Sequence, residues 1–385
     1  MTLVRSGRAT ASVSPKMRLA LWTRAGGRCQ YEGCNQMLLG DLLSGRETLN
    51  KAFVAHIIAA TPEGPRGHRT LSYELANSLD NLMLLCHRCH TLIDDEDEKG
   101  HPVERLRAMK QTHERRVAMV TGIAPDQSTT ILMYAARIGE NDCLIAPRLA
   151  KQAVLPERYP SEEPISLELV RCDYRDSDPE YWTFQVDNLR RQFDRKVASR
   201  IQEGGIGHVS TFAVGPQPLL IELGRLLSDI AYVDVLPLAR EPKGWGWREE
   251  GQPIRFHEAK RAGTGPVALK LGISAAIADS RIERVLGDDA TIYAINAELP
   301  GNDILCHKAS LAAFRDRARA MLARIAHENP AAEAIHVFPA VPVAMAVELG
   351  RVWMPKADLP LLIYDEDRDR GGFQLRHRLG ASFAR

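Results

Sequence analysis

Four cysteines in two close pairs constrain this chain more than any other feature. Cys29 and Cys34 stand in RCQYEGC, and Cys86 and Cys89 stand in LLCHRCHTLID. Spacings of C-x4-C and C-x2-C let each short turn aim two sulfurs at one ion, which is what a tetrahedral zinc site needs. Cysteine pairs alone also fit a knuckle that merely holds a small domain together. Three further residues add to the pattern. His56 lies in FVAHIIAATPEGP, Asn81 lies in SLDNLMLLC, and His90 follows directly on Cys89. The run from Phe53 to Ile58 is apolar and reads as a short strand ending near His56.

The order His56, Asn81, His90 threaded through two cysteine pairs resembles the HNH nuclease family. That resemblance implies a ββα-metal fold, two strands and a helix clamping a catalytic divalent ion. It implies His56 as the base that takes a proton from water, Asn81 as the residue that holds His56 in register, and His90 as a ligand of Mg2+ or Mn2+. Many members carry an acidic ligand just before the first histidine, where this chain has Ala55. The second ligand then falls to a nearby carboxylate. Asp80, Asp94 and Asp95 are the nearby carboxylates, and Asp94 lies four residues after His90, one helical turn away. Asp94 to Glu98 reads equally as a solvated helix end. Two basic groups are candidate DNA contacts: Arg66, His68 and Arg69 in a Gly/Pro-rich loop, and Arg105, Arg107, Lys110, Arg115 and Arg116 on an expected helix.

At 385 residues the chain is too long for one compact core, so two to three domains are expected. The net charge of +1 excludes a globally basic nucleic-acid binder, and any such surface must be local. Three of the seven cysteines, Cys143, Cys172 and Cys306, are scattered singly, which suits a reducing compartment. The opening MTLVRSGRATASVSPKM has no apolar signal core, and no stretch approaches a membrane span. The expectation is a soluble protein with no membrane partner.

Ser14 and Pro15 read as the cap and first position of a helix through Ala25, ended by Gly26-Gly27. A second helix is expected near Val103 to Val120. TGIAPDQSTT then reads as a linker. Beyond it, Val/Ile-rich strands alternate with amphipathic helices, the α/β pattern. This region repeats itself. HVSTFAVGPQPLLIELGRL at 208–226 and HVFPAVPVAMAVELGRV at 336–352 both read strand, Pro-containing turn, helix, then Glu-Leu-Gly-Arg. Two Rossmann-like copies suggest a pseudo-dimer with a pocket at the shared interface. The turns at Phe212–Pro218 and Pro339–Ala344 are the expected anion-binding positions, beyond the strand ends and at helix N-termini. No G-x-G-x-x-G or Walker lysine loop is present, which argues against NAD and ATP.

A zinc-stabilised HNH head joined to a tandem Rossmann-like sensor resembles the HNH–SAVED effectors of CBASS anti-phage systems. The resemblance implies residues 1–120 as the HNH endonuclease domain with structural zinc, and 121–160 as linker and start of the sensor. It implies 161–385 as a SAVED domain of two CARF-like units, about 161–262 and 263–385. It further implies a bacterial cytoplasmic protein, a cyclic dinucleotide or oligonucleotide activator made by a partner synthase, and homo-oligomerisation to a dimer or tetramer. The implied activity is non-specific cleavage of double-stranded DNA. A cyclic nucleotide offers bases to stack and phosphates to neutralise. Phe212 and Pro339 in the turns, Trp182, Trp245, Trp247 and Trp353 for stacking, and Lys243 and Arg248 for charge are the candidate contacts. The alternatives are an HNH type II restriction endonuclease with a constitutive DNA-recognition domain, a non-catalytic zinc-bearing sensor or transcription factor, and a nuclease that cuts its own activator.

Overall fold

The computed structural model describes residues 13–41, 45–139, 143–167, 174, 176–228, 230, 232–248, 251–367 and 371–380. Cys172 lies outside them. The chain divides between Ile123 and Ala124 into two compact units.

In the first unit, α1 (Pro15–Ala25) is bounded as its cap residues dictate. Ser14 Oγ accepts from Met17 N–H at 3.3 Å, Pro15 holds the first helical position, and Gly26 turns left-handed at φ 60°. A ribbon of β1 (Leu39–Asp41) and β2 (Arg46–Asn50) leads to β3 (Ala52–His56). After α2 (Leu71–Leu75), β4 (Leu82–Cys86) pairs antiparallel with β3, Ala52 opposite Cys86 and His56 opposite Leu82. β4 reads LMLLC and is buried along its whole length, as an unbroken apolar run should be. The chain turns at Cys86 straight into α3 (His87–Thr91), and α4 (Val103–Thr121) closes the unit with Leu106, Met109 and His113 inward. Leu21, Leu38, Leu82, Leu84, Ile93 and Leu106 form one core with Cys29, Cys86 and Cys89, so the cysteines belong to the packing that defines the unit.

The second unit begins with β5 (Ser128–Ala135), followed by α5 (Pro147–Ala153), β6 (Tyr159–Pro160), β7 (Ile165–Ser166), α6 (Pro179–Phe193), α7 (Ser199–Gln202), β8 (Val209–Val214), α8 (Gln217–Leu226) and β9 (Val233–Val235). These strands form a parallel sheet in the order β6-β5-β8-β9, with β7 also beside β5. β5 is a central, almost wholly buried strand, so the stretch read as a linker already belongs to the sheet from Ser128 onward. A hairpin of β10 (Leu238–Arg240) and β11 (Lys243–Trp245) precedes the second sheet. That sheet contains β12 (Phe256–Arg261), β13 (Val267–Gly272), β14 (Thr291–Ala297), β15 (Ile335–Ala340), β16 (Leu361–Asp367) and β17 (Gly372–Leu379) in the order β12-β14-β13-β15-β16-β17. β12 and β17 are antiparallel edges on a parallel centre. Helices α9 (Asp279–Leu286), α10 (Lys308–Glu328) and α11 (Val343–Val352) connect its strands. Strand order reverses between β5 and β8 in one sheet and between β13 and β15 in the other, the two places where an open parallel sheet offers a crevice.

The repeat has a physical centre. A Cβ on Gly224 of α8 would stand 1.9 Å from Val347 O of α11, and one on Gly350 of α11 would stand 1.9 Å from Ile221 O of α8. The matching Glu-Leu-Gly-Arg runs are therefore the two sides of one helix crossing, where only glycine lets the backbones approach this closely. Pro216 and Pro342, not Pro339, are the turn prolines, each capping its helix. Pro339 lies inside β15 opposite Leu271. Ala340 O accepts from Ile273 on the β13 side, so Pro339 turns its backbone toward β16, whose ladder has ended at Val337 opposite Ile363. The missing N–H costs no rung there.

Replacing Gly224 or Gly350 by alanine is expected to destabilise the second unit by about 1–3 kcal/mol through forced separation of the helices. Helix propensity alone would raise stability by about 1 kcal/mol, so the sign of the change in urea unfolding decides the matter.

Candidate functional sites

The four sulfurs of the first unit come together. Cys29 precedes the tight turn that carries Cys34, whose N–H reaches Tyr31 O at 3.1 Å. Cys86 ends β4 and Cys89 lies in α3. All four Sγ atoms lie within 4.8 Å of one another, and Cys34 Sγ is 3.9 Å from Cys86 Sγ. A tetrahedron with Zn–S bonds of about 2.3 Å has edges of about 3.8 Å, so the donor set fits zinc. Cys86 N–H points at Cys29 Sγ at 3.4 Å, an arrangement that favours a thiolate there. Burial pushes the Cys29 thiol up to about 12 and raises the Cys89 thiol too, since crowded buried sulfurs resist ionising without a cation. A dication reverses that cost. Among the described residues this is the one grouping of three or more potential metal-ligating side chains, and it does not include His90.

β3, β4 and α3 place the three polar residues. His56 ends β3, and its Nε2 lies 3.0 Å from Ala76 O. A carbonyl only accepts, so Nε2 carries the proton and Nδ1 keeps its lone pair. Asn81 is buried. Its Oδ1 accepts from Ile58 N–H at 2.9 Å, and its Nδ2 donates to Ile58 O at 2.8 Å and to Leu75 O at 3.3 Å. Asn81 thus ties the segment leaving β3 to the one leaving α2. His90 in α3 stacks on Phe53 with ring centres 5.3 Å apart, and its Nε2 is 3.4 Å from Asp94 Oδ2. Asp80 is exposed and lies 3.9 Å from Arg24, so Asp94 is the carboxylate placed beside His90.

Arg66 departs from its expected part in DNA binding. Its side chain is 6% exposed. It donates to Ile57 O and Ile93 O at 2.7 Å each and to Asp94 Oδ1 at 2.5 Å, with Nη2 3.5 Å from His56 O. A guanidinium spent on internal acceptors has nothing left for phosphate. It ties the end of β3 to the turn that carries Asp94, and the backbone accepts φ 56° to bring it there. Arg69 remains exposed. Lys110 is also withdrawn, buried against Glu114.

In the second unit the N-terminal ends of α8 and α11 meet: Gln217 Nε2 donates to Val341 O at 2.8 Å, and Gln217 Oε1 is buried with no partner among the described residues. Deeper in the seam, Glu222 is fully buried. Its Oε1 accepts from Arg190 at 2.8 Å and Arg225 at 2.6 Å, and its Oε2 faces His377 Nε2 at 2.8 Å. Burial alone would raise this carboxyl. The bonds from His377, Arg225 and Arg190 outweigh burial and hold it well below its ordinary 4.5. The matching Glu348 has Arg351 at 2.7 Å, while its Oε2 has no partner among the described residues.

The sign of a pH effect follows. A depressed carboxyl contributes stability that is present above about pH 4.5 and is lost as the pH falls toward its folded value. Glu222→Gln should lower the stability of the second unit at neutral pH by about 1–3 kcal/mol, because the charge-assisted bonds from Arg190, Arg225 and His377 are weakened. It should also remove that acid dependence. Tryptophan emission during urea unfolding at a series of pH values checks both.

The aromatic candidates scatter. Trp353 is buried in the core and donates Nε1–H to Leu359 O at 3.0 Å. Trp182 is buried, donates to Asp176 O at 2.8 Å and lies 5.3 Å beneath the Arg376 guanidinium. Phe212 is a buried strand residue, not a turn residue, and Trp245 packs edge-on against it at 5.2 Å. Phe212 faces the α5 side of the first sheet, whereas its neighbour Ala213 faces the core shared with α8. Trp245 therefore sits on the side of the sheet opposite the α8–α11 seam. Trp245 and Trp247 line a separate 490 Å³ cleft with Arg158 and Lys308. Lys243 is exposed on the hairpin, and Arg248 bonds Glu241 O and Asp303 O at 3.1 and 2.8 Å. Gln217, Glu222 and Arg190 were missed in the sequence. The Glu222 position was visible as half of a repeated Glu-Leu-Gly-Arg, but its partners come from outside the repeat.

One family model matches part of the second unit, from α6 to β17. The SMODS-associated and fused to various effectors sensor domain, SAVED, aligns with residues 189–376, a little under half of the chain. Residues 189–376 of the second unit are SAVED-like. No curated protein matches the chain. Solved structures similar to it include the Acinetobacter baumannii Cap4 SAVED/CARF-domain containing receptor with the cyclic trinucleotide 2'3'3'-cAAA, at 12% identity and a TM-score of 0.41 over 81% of this chain and 62% of that one. The same receptor with 3'3'3'-cAAA aligns at 11% identity and a TM-score of 0.44, over 81% and 71%. The Moraxella osloensis Cap4 receptor aligns at 11% identity and 0.39, over 81% and 70%. The chain thus spans less than two thirds of the first of these structures. No helix among the described residues is long and apolar enough to cross a membrane.

Proposed function

We propose that this chain is a nuclease of anti-phage defence whose SAVED-like unit senses a cyclic oligonucleotide and whose first unit cuts double-stranded DNA. The observation that carries the reading is the joining of a SAVED match with a four-cysteine strand–strand–helix unit holding His56, Asn81 and His90. In the reaction, His56 Nδ1 takes a proton from water. The water oxygen bonds to phosphorus, the P–O3′ bond breaks, and the departing oxygen acquires a proton. Asn81 keeps the His56 strand end in place. A divalent ion held by His90 and Asp94 would supply Lewis acidity at the phosphate. The activator would lie over the α8 and α11 N-termini, where free N–H groups favour phosphate. Ligand binding acts by favouring one state over another, and self-association is the simplest such state.

Plasmid cleavage in Mg2+ or Mn2+, with and without a panel of cyclic di- and trinucleotides that includes both cAAA isomers, tests the proposal alongside mass by light scattering. Cleavage and increased mass should appear together with one activator. Ligand-independent cutting at constant mass would instead favour the restriction endonuclease. Cleavage of the cyclic nucleotide alone would make the activator itself the substrate. No cleavage of either would leave a non-catalytic sensor.

A further inference from the structure

The roles above leave one cleft of the first unit unused. It has a volume of 480 Å³ and lies between the Cys29–Cys34 turn and α4, lined by Tyr31, Glu32, Asn35, Arg105, Thr112 and Arg116 among others, with Arg28 outside the lining and joined to it through Asn35. Two guanidinium groups converge on Asn35. Arg28 Nη1 donates to Asn35 O at 3.1 Å, and Arg116 Nη2 donates to Asn35 Oδ1 at 2.6 Å. Asn35 adopts φ 53°, a left-handed backbone, where it offers both oxygens to the two arginines.

The neighbouring group adds no negative charge. His113 Nε2 lies 2.9 Å from Ala25 O and therefore carries its proton, while Nδ1 lies 3.2 Å from Arg116. Burial, with Arg116 and Arg28 nearby, pushes this imidazole down and keeps it neutral. Other cations around it are compensated: Arg105 by Glu32, Lys110 by Glu114, and Arg24 by Glu114 and Asp80. Among the described residues, Arg28 and Arg116 have no carboxylate within 4.0 Å, so both charges are open to an anion.

We infer that this cleft is a docking site for the phosphodiester backbone of duplex DNA, held by Arg28 and Arg116 against Asn35. The inference rests on the nuclease reading of the first unit. Planar guanidinium forks match phosphate oxygens in pairs. Arg28 and Arg116 reach Asn35 from the turn and from α4, so a phosphate placed there would meet both guanidinium groups. By touching phosphate and no base, the cleft would position DNA without reading sequence.

The test uses the full zinc-loaded chain, a short labelled duplex and no added Mg2+, with anisotropy read across a salt series. Arg28→Gln/Arg116→Gln should weaken binding roughly tenfold to a hundredfold and lower the salt slope by about two, one for each phosphate no longer neutralised. Thr112→Glu, an exposed helix position that leaves Asn35 untouched, should weaken binding without disturbing zinc content or circular dichroism. Wild-type affinity and slope in both variants would overturn the inference, as would preference for duplex RNA. A wild type that cuts DNA while the variants bind normally removes the cleft alone. A wild type that binds with this slope but never cuts removes the nuclease reading and leaves the cleft.

Discussion

Cys86→Ser is expected to strip the first unit of its metal and unfold it while the second unit stays folded. Cys86 ends the buried strand β4, and its sulfur lies 3.9 Å from Cys34 and takes part in the same core as Leu84 and Leu106. The four sulfurs join segments that are far apart in sequence, so losing one ligand releases the turn, the strand end and α3 together. Structural zinc sites contribute about 10–16 kcal/mol of apparent binding free energy to folding, more than a unit this small retains as net stability. The second unit has its own sheets and a separate core, which predicts an independent transition. Metal analysis should give one zinc per wild-type chain and almost none in the variant, and limited proteolysis should digest the first unit only. A wild-type chain that is folded and free of zinc would end this account.

His56→Ala should lower cleavage by about 10²- to 10⁴-fold, the usual contribution of a general base, with zinc content and unfolding unchanged. The structure gives this side chain one bond, to Ala76 O, so removing it leaves no network broken. Asn81→Ala makes the contrast. It abandons both polar groups of Ile58 in a buried setting, which costs about 1–3 kcal/mol for each group left unpaired. Its loss of activity should therefore come with a loss of stability. Near-normal cutting by the His56 variant would reassign the base.

How much of this was legible in the chain depended on the range of the cause. The boundaries of α1 follow from Ser14, Pro15 and Gly26, because caps act within one turn. The cysteine cluster followed from spacing. The repeat was visible as letters, although its meaning, two glycines at a backbone crossing, needed the third dimension. What failed was burial. Trp182 and Trp353 look the same in a sequence whether they face a ligand or the core. Arg66 sits in a Gly/Pro-rich loop that reads as exposed, and only the fold reveals the carbonyls of Ile57 and Ile93 waiting for it. Trp245 ends a hairpin strand and packs on Phe212, and no local signal said which side of the sheet it would cover.

The crossing of α8 and α11 has one more consequence. In a dimer of identical subunits, any change at such a glycine or its neighbouring glutamate is made twice, and both sides must tolerate it. Here both sides lie on one chain, and they already differ: Glu222 satisfies both oxygens with Arg190, Arg225 and His377, while one oxygen of Glu348 has no partner among the described residues. Covalent fusion frees each half to change alone, so the two sides of the seam need not stay alike.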